Sequence, residues 1–211
     1  MNKVKLELSV NSKGIAEYSV FYNERKVILP SSLGFRLNDS IVMDSNLKII
    51  KTDTLSVDET WKPVWGEVNS IRNHYKQLTI HLQQRNTPAL LLNIVFKVFQ
   101  DGIGFRYEFP VQPNLKYFIV SRESTQFNLT GDHKTFWIPG DYDSNEYPYT
   151  VSPLSEVNAW KLPMISSGTQ STNIPDQYAV QTPLMLKTVD GLYINAVKLS
   201  KIVTLFYNSW I

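Results

Sequence analysis

Apolar and polar residues alternate with a period of two in several segments of the chain, a pattern that predicts β-strands with one buried face. Between Val4 and Val10, aliphatic side chains occupy one face, and lysine, glutamate and serine side chains occupy the other. The turn-forming residues 11–14 follow, and we expect residues 16–22 to return beside the first strand as a hairpin. Helical periodicity is hard to find.

Two Asp-Gly pairs predict further hairpins, because both positions of a two-residue hairpin turn require a positive φ. Asp101 and Gly102 separate the apolar residues 89–100 from residues 103–109, in which aromatic and charged side chains alternate. A second pair, Asp190 and Gly191, lies between residues 184–187 and 192–196.

Many short strands, tight turns and eleven prolines together predict an all-β fold, an antiparallel sandwich. Two polar stretches rich in turn-forming residues, 38–60 and 164–178, are predicted to be long loops. No stretch has the composition of a linker that would split the chain into two domains.

Composition excludes several classes of function. Of the 211 residues, 43% are hydrophobic, which is enough for a core, and the absence of cysteine excludes zinc sites built on thiolates. The 21 basic and 19 acidic residues nearly balance and the lysines and arginines do not cluster, so we expect no nucleic-acid partner. The longest apolar run, residues 89–99, is too short to span a membrane, and the N-terminal residues lack the apolar core of a signal peptide.

Residues 58–75 combine two tryptophans, Trp61 and Trp65, with a polar cluster at Arg72, Asn73 and His74. One interpretation is a surface that contacts a sugar or another domain. The other is that the tryptophans close one end of the sandwich core while the arginine and histidine satisfy buried polar groups. The residues alone leave both interpretations open.

An acidic stretch gathers four oxygen-bearing side chains within six residues, at Asp141, Asp143, Asn145 and Glu146. Hard cations such as calcium favour oxygen ligands, but the stretch is not an EF-hand. The sixth position of that loop requires glycine and holds Glu146, and the twelfth requires glutamate and holds Ser152. A partial calcium site completed from elsewhere and a simple acidic turn both remain open.

The three histidines lie far apart in the sequence. His81 falls within a predicted strand and is interpreted as structural. His74 or His133 could form a mutarotase-like acid–base pair with a carboxylate. Glycoside hydrolysis requires two carboxylates at a defined separation, and nothing in the sequence identifies such a pair.

Four segments resemble, in order, the N-terminal domain of family 97 glycoside hydrolases: residues 60–67, 71–75, 101–109 and 131–143. The resemblance implies a galactose mutarotase-like β-super-sandwich that packs on a catalytic (β/α)8 barrel. We therefore expect this domain at residues 1–195, followed by an atypical tail at 196–211, with the barrel absent from the chain. An interrupted reading frame or a diverged strand would each explain such a tail.

Members of this family are calcium-dependent, exo-acting enzymes, either α-glucosidases that invert or α-galactosidases that retain the anomeric configuration. The resemblance implies that Glu146 is a ligand of the active-site calcium, while Asp141 and Asp143 shape the loop. The barrel would supply the other calcium ligands and the general acid, so no catalytic residue is expected here. A carbohydrate substrate and a periplasmic or secreted location are implied as well.

Candidates for contacts with the substrate or the barrel are Trp61, Trp65, Arg72, Asn73, His74, His133 and Tyr147. An alternative function is a stand-alone carbohydrate-binding module in which the two tryptophans and Tyr147 stack on sugar rings. A mutarotase-like epimerase is a third hypothesis, which rests on analogy of fold.

Overall fold

The computed structural model describes residues 3–37, 41–168, 172–201 and 204–210, with side chains described up to residue 198. Antiparallel strands account for most of this part of the chain, which confirms the predicted all-β fold. The described residues form two compact units, one drawn from residues 3–130 and 199–207 and the other from 131–198 and 208–210.

The strands of the first unit follow one another with short connections. They are β1 (Val4–Val10), β2 (Ala16–Tyr22), β3 (Arg25–Leu33), β4 (Phe35–Leu37), β5 (Ile41–Val42), β6 (Leu47–Trp61), β7 (Ile71–Gln84), β8 (Leu91–Val98), β9 (Gly102–Glu108) and β10 (Val120–Glu123).

The rest of the chain contains fewer strands and the helical turns. The strands are β11 (Lys134–Trp137), β12 (Thr150–Pro153), β13 (Leu184–Lys187), β14 (Tyr193–Lys201) and β15 (Thr204–Trp210). Two 3-10 helices (Leu154–Glu156 and Ala159–Lys161) and the single-turn helix α1 (Pro163–Ser166) lie between β12 and β13. None of the helices among the described residues has the length and apolar character needed to cross a membrane.

Antiparallel hairpins build the first unit. Strands β1, β2 and β3 form one sheet, β10, β4 and β5 form a second, and β9, β8, β7 and β6 are neighbours in that order. The predicted first hairpin is confirmed, with Val4 opposite Tyr22 and Val10 opposite Ala16. Strand β2 turns into β3 at Asn23 and Glu24, whose φ angles of 48° and 64° fit a type I′ turn.

Both hairpins predicted from Asp-Gly pairs are confirmed, between β8 and β9 and between β13 and β14. The turn expected at Asp101 and Gly102 differs in detail, because neither residue has a positive φ. The loop is longer than two residues, and the Phe99 N–H donates to the Gly102 carbonyl at 2.9 Å. Gly191 has the predicted positive φ, at 87°.

The core of the first unit is built around buried aromatic rings. The ring of Phe96 on β8 lies 5.1 Å from that of Phe105 on β9 and 6.0 Å from that of Tyr18 on β2, measured between centroids. The Tyr18 hydroxyl donates to the Gln126 carbonyl at 2.8 Å, so the one polar group of this cluster is satisfied. Burial raises the pKa of Tyr18, which therefore stays neutral.

The prediction that residues 38–60 form a loop is wrong for most of that stretch, because residues 47–60 belong to β6. Polar side chains dominate both faces of this strand, so the apolar alternation that identifies other strands is missing. Backbone pairing with β7 stabilises the strand instead. It runs from Leu47 opposite Gln84 to Trp61 opposite Ile71. Residues 164–178 contain the end of α1 and otherwise neither helix nor strand where they are described.

The turn at Gly14 anchors the beginning of β6. Its carbonyl accepts a hydrogen bond from the Leu47 N–H at 2.9 Å. A Cβ atom at Gly14 would lie 2.4 Å from the Leu47 nitrogen, and the φ of +72° is one that other residues rarely adopt. Glycine is therefore required by close approach and by backbone conformation together.

In the second unit, strands β12, β11, β13 and β14 are antiparallel neighbours. A small core forms where Trp137 of β11 packs with Val157 and Ala159 of the segment that follows β12. The backbone beyond residue 195 continues in β14 and then β15, so the segment expected to be an atypical tail contains strand structure. The domain boundary at residue 195 stays a prediction.

We predict that Phe96→Ala lowers the free energy of unfolding by about 3–5 kcal/mol, because it leaves a cavity between Tyr18 and Phe105. Urea denaturation followed by tryptophan fluorescence measures this change. Val111→Ala is the matched control, since Val111 is fully exposed in the same unit and its truncation should cost less than about 0.5 kcal/mol. A loss below about 1 kcal/mol for Phe96→Ala would show that the aromatic cluster does not hold the unit together.

Candidate functional site

The acidic loop, residues 139–149, follows β11 in the second unit and is organised by one carboxylate. Oδ1 of Asp141 accepts hydrogen bonds from the backbone N–H groups of Asp143 at 2.8 Å and Ser144 at 3.3 Å. Oδ2 accepts from the Tyr147 hydroxyl at 2.5 Å and from the Asn173 backbone N–H at 3.3 Å. Both oxygens are therefore used to fold the loop.

The contact between Asp141 and Tyr147 changes the acidity of both groups. The hydrogen bond from the Tyr147 hydroxyl is the largest cause that lowers the pKa of Asp141, and the backbone N–H groups add to it. Burial, together with the bond to Asp141, raises the pKa of Tyr147 to about 12. At neutral pH the carboxylate is therefore charged and the phenol is neutral.

Side chains from a distant segment hold the loop from outside. The Gln181 side-chain amide donates to the carbonyls of Asp141 at 3.2 Å and Ser144 at 2.7 Å. The Asn173 side-chain amide donates to Oδ2 of Asp143 at 3.1 Å. The loop thus has a defined conformation although it contains no helix or strand, because polar side chains satisfy its backbone groups.

Glu146 lies at the exposed side of this loop. Its backbone N–H donates to Oγ of Ser144 at 3.1 Å, while its side chain is exposed. Within the described residues, no group of three or more histidine, cysteine, aspartate or glutamate side chains could hold a metal ion. Calcium requires six to eight oxygen ligands, more than Glu146 can supply, and its assignment as a calcium ligand stays a prediction.

His133 and Tyr147 are both buried in the second unit, with 4% and 7% of their surface exposed. The His133 carbonyl accepts from the Leu154 N–H and from Oγ1 of Thr135, each at 3.0 Å, which fixes the start of β11. The Tyr147 ring points into the unit, so it offers no open face for stacking on a sugar in this arrangement.

Asp132, next to His133, makes a local contact with the segment after β12. Its carboxylate accepts from the Ser155 hydroxyl at 2.7 Å and from the Ser155 N–H at 2.8 Å. The hydroxyl bond is the largest cause that lowers the pKa of Asp132. This carboxylate is engaged in holding the chain and does not project as Glu146 does.

In the first unit, Trp61 and Trp65 are exposed, at 49% and 88%. The interpretation that they close the sandwich core is therefore wrong. This part of the chain lies beyond the residues of β7 that pair with β8. Arg72 and His74 are exposed as well, so neither satisfies a buried polar group. The alternative, a surface for a sugar or another domain, remains a prediction.

The polar groups beneath the tryptophans pair with one another. Arg72 donates to both carboxylate oxygens of Asp58, at 2.7 and 2.6 Å, and this contact lowers the pKa of Asp58. The Asn73 amide donates to Glu59 at 2.9 Å. These pairs cross between β6 and β7, so the side chains act as ties between the two strands.

His81 has the structural role that its strand position predicted. Its Nδ1 lies 2.8 Å from Oδ1 of Asn93 on β8, and its Nε2 lies 2.9 Å from Oδ2 of Asp53 on β6. The imidazole therefore links three neighbouring strands. His74 belongs to the first unit and His133 to the second.

Sequence patterns missed the residues that hold the acidic loop. Ser144, Asn173 and Gln181 carry no spacing signal, because their contacts join the loop to positions 30–40 residues away. Only the polar character of the predicted loop at 164–178 hinted that this segment interacts with another loop.

Comparison with known families agrees with this architecture. The family model described as Glycosyl-hydrolase 97 N-terminal matches residues 2–197. The chain belongs to this family. The predicted resemblance is thereby confirmed, and with it the glycoside hydrolase family 97 N-terminal β-super-sandwich.

Relatives of this family 97 domain are longer proteins. A retaining α-galactosidase of Bacteroides thetaiotaomicron is 27% identical over 194 residues, which cover 85% of this chain and 27% of that protein. A family 97 enzyme of Pseudoalteromonas sp. strain K8, solved with acarbose, superposes with a TM-score of 0.81 at 20% identity. That match covers 99% of this chain and 34% of the enzyme.

Another similar structure is a β-arabinopyranosidase, with a TM-score of 0.76 at 19% identity. This match covers 98% of the chain and 33% of that enzyme. The family 97 domain thus spans about a quarter of the curated relative and a third of the solved enzymes. At such identities the solved structures establish the fold alone.

We predict that Asp141→Asn lowers the melting temperature at pH 7 by about 3–6 °C, since the NH2 group that replaces Oδ2 cannot accept from Tyr147 and Asn173. The pKa of Asp141 is lowered in the folded state, so its stabilisation is present above the unfolded pKa of about 3.9 and is lost as the pH falls through the folded value. The difference between variant and parent should therefore shrink below about pH 4.

Scanning calorimetry from pH 7 to pH 3 measures this difference. Glu146→Gln is the matched control, because its side chain does not fold the loop, and its melting temperature should stay within about 1 °C of the parent. A difference between Asp141→Asn and parent that persists unchanged into acid would contradict a stabilising charge on Asp141.

Proposed function

We propose that this chain is the non-catalytic N-terminal part of an exo-acting α-glycosidase, an α-glucosidase or an α-galactosidase. It would pack on a catalytic barrel and supply Glu146 as one ligand of a calcium site that the barrel completes. The observation that carries this proposal is the acidic loop, in which Asp141 is consumed by internal hydrogen bonds while Glu146 is left exposed.

The chemistry of the loop supports a ligand role for Glu146. Glutamate oxygens are hard donors that suit calcium, and a loop fixed at Asp141 and Gln181 holds a ligand with little loss of entropy on binding. A bound calcium would polarise the sugar hydroxyl or leaving group that it contacts. The role of this chain is to hold one carboxylate at a fixed place.

The names of the relatives support the class of substrate. They include a retaining α-galactosidase, an enzyme solved with acarbose and a β-arabinopyranosidase, all of which act on or bind sugars. Paired carboxylates for hydrolysis would lie in the barrel, where their separation decides between inversion and retention. A periplasmic or secreted location belongs to the same proposal.

We predict that the 211-residue chain alone does not hydrolyse p-nitrophenyl α-glucoside or α-galactoside, with or without millimolar calcium, because the catalytic groups lie outside it. Release of p-nitrophenol, followed by absorbance, measures this. A family 97 enzyme assayed in parallel is the positive control. Robust turnover by the chain alone would contradict the proposed need for a barrel.

For Glu146 we predict a calcium effect in a chimaera that joins this chain to the remaining part of the Bacteroides α-galactosidase. Glu146→Gln should raise the calcium concentration for half-maximal hydrolysis of p-nitrophenyl α-galactoside at least about tenfold, because one charged ligand is lost. Glu156→Gln, an exposed glutamate of the same unit, is the matched control and should leave it unchanged.

Calorimetric titration of the chain without a barrel completes the test. One exposed carboxylate cannot hold calcium tightly, so the dissociation constant should exceed about 1 mM. A micromolar constant for the chain alone would show that the site is complete within it. An unchanged calcium requirement in an active Glu146→Gln chimaera would remove Glu146 from the site.

A further inference from the structure

Strand β6 lies at one end of the row β9, β8, β7, β6 in the first unit, and its second edge is unpaired by any strand that the structure describes. Fifteen residues long, it pairs with β7 from Leu47 to Trp61, with one irregularity between Ile49 and Lys51. A long edge without proline presents a row of open N–H and C=O groups that can pair with another strand. Such an edge is a docking surface by its backbone alone.

Although most side chains of this strand are polar, a few apolar ones are exposed. Leu55, at its centre, is 55% exposed, and Ile50 and Trp61 towards its two ends are 50% and 49% exposed. Because side chains alternate along a strand, Lys51, Leu55 and Glu59 share one face.

Charges divide the same strand into two complementary halves. The N-terminal half carries Lys48, Lys51 and Asp53, a net charge of +1, and the C-terminal half carries Asp58 and Glu59, a net charge of −2. When two copies of β6 pair antiparallel with Leu55 opposite Leu55, Lys51 of each copy lies opposite Glu59 of the other.

We propose that β6 pairs antiparallel with β6 of a second copy of this chain, in a register centred on Leu55, to form a two-fold symmetric dimer. The interface is isologous, so each favourable contact occurs twice. It joins the β9, β8, β7, β6 rows of two copies into one continuous sheet. The proposal concerns assembly and does not depend on the proposed function.

Two other registers, centred on Ser56 and on Asp53, are disfavoured by charge. A pairing centred on Ser56 would set Asp53 opposite Glu59, and one centred on Asp53 would set that carboxylate opposite its own copy; like charges directly opposite destabilise a strand pair. In the register centred on Leu55, Asp53 lies opposite Val57 instead. The register centred on Leu55 thus avoids both of these contacts and adds the pairing of Lys51 with Glu59.

The charged partners are free to exchange. Lys51 contacts Asp53 at 2.8 Å on the same strand, and its side chain is 65% exposed. Glu59 accepts from the Asn73 amide on the exposed surface. Exposed pairs of this kind contribute little, so their rearrangement costs little when the second strand arrives.

Sedimentation velocity of the 211-residue chain across a concentration series tests the dimer. We expect the parent chain to be in a monomer–dimer equilibrium. Leu55→Asp should raise the dissociation constant of the dimer at least about tenfold, because two carboxylates would then face each other at the centre of the interface. Leu55→Thr, which suits a strand, is a second variant with a smaller rise of about threefold. Val111→Asp is the matched control, a fully exposed valine of the same unit, and should change nothing.

Charge reversal tests the register. Lys51→Glu and Glu59→Lys should each weaken the dimer about fivefold or more, and the double variant should restore it to within about twofold of the parent. Circular dichroism melts confirm that each variant is folded. A chain that stays monomeric at its highest soluble concentration would overturn the proposal, and so would a dimer insensitive to both Leu55 variants. Failure of the double variant to restore the dimer would overturn the register.

Discussion

Backbone hydrogen bonding is the constraint on which this structure depends. With almost no helix, the chain can satisfy its buried N–H and C=O groups only between strands or through side chains. Antiparallel pairing does this for most of the described residues, and the hairpins β1–β2, β6–β7 and β8–β9 are its units. A loop with a fixed conformation but no strand pairing needs other hydrogen-bond partners for its backbone groups.

The acidic loop shows how hydrogen bonds from side chains can replace those of strand pairing. Asp141, Gln181 and Asn173 together bind six backbone or side-chain groups of the loop, so its conformation is fixed without strand pairing. A carboxylate with this many partners cannot also coordinate a cation without releasing them. The division between Asp141, which builds the loop, and Glu146, which is exposed on it, therefore follows from the hydrogen bonds themselves.

Much of the fold could be predicted from the sequence, because hairpins are local and leave local patterns. Alternation located β1 and β2, and Asp-Gly pairs located the hairpins at β8–β9 and β13–β14. Strand β6 escaped prediction because its side chains are polar on both faces, so its strand structure comes from pairing with β7 and leaves no apolar alternation in the sequence. The type I′ turn at Asn23 and Glu24 escaped because glutamate rarely adopts a positive φ.

The candidate site was predictable only in part, for a different physical reason. Spacing alone left the acidic stretch between a turn and a partial metal site, and the family resemblance singled out Glu146. What the sequence could not reveal is that Asp141 meets a tyrosine six residues on and a glutamine forty residues on. A ligand that one domain contributes to a shared site gains affinity when it is held in place before binding, because less entropy is then lost. In the proposed calcium site, Asp141 and Gln181 are therefore positioning residues. The position of Glu146 depends on the same hydrogen bonds that take the place of strand pairing in the loop.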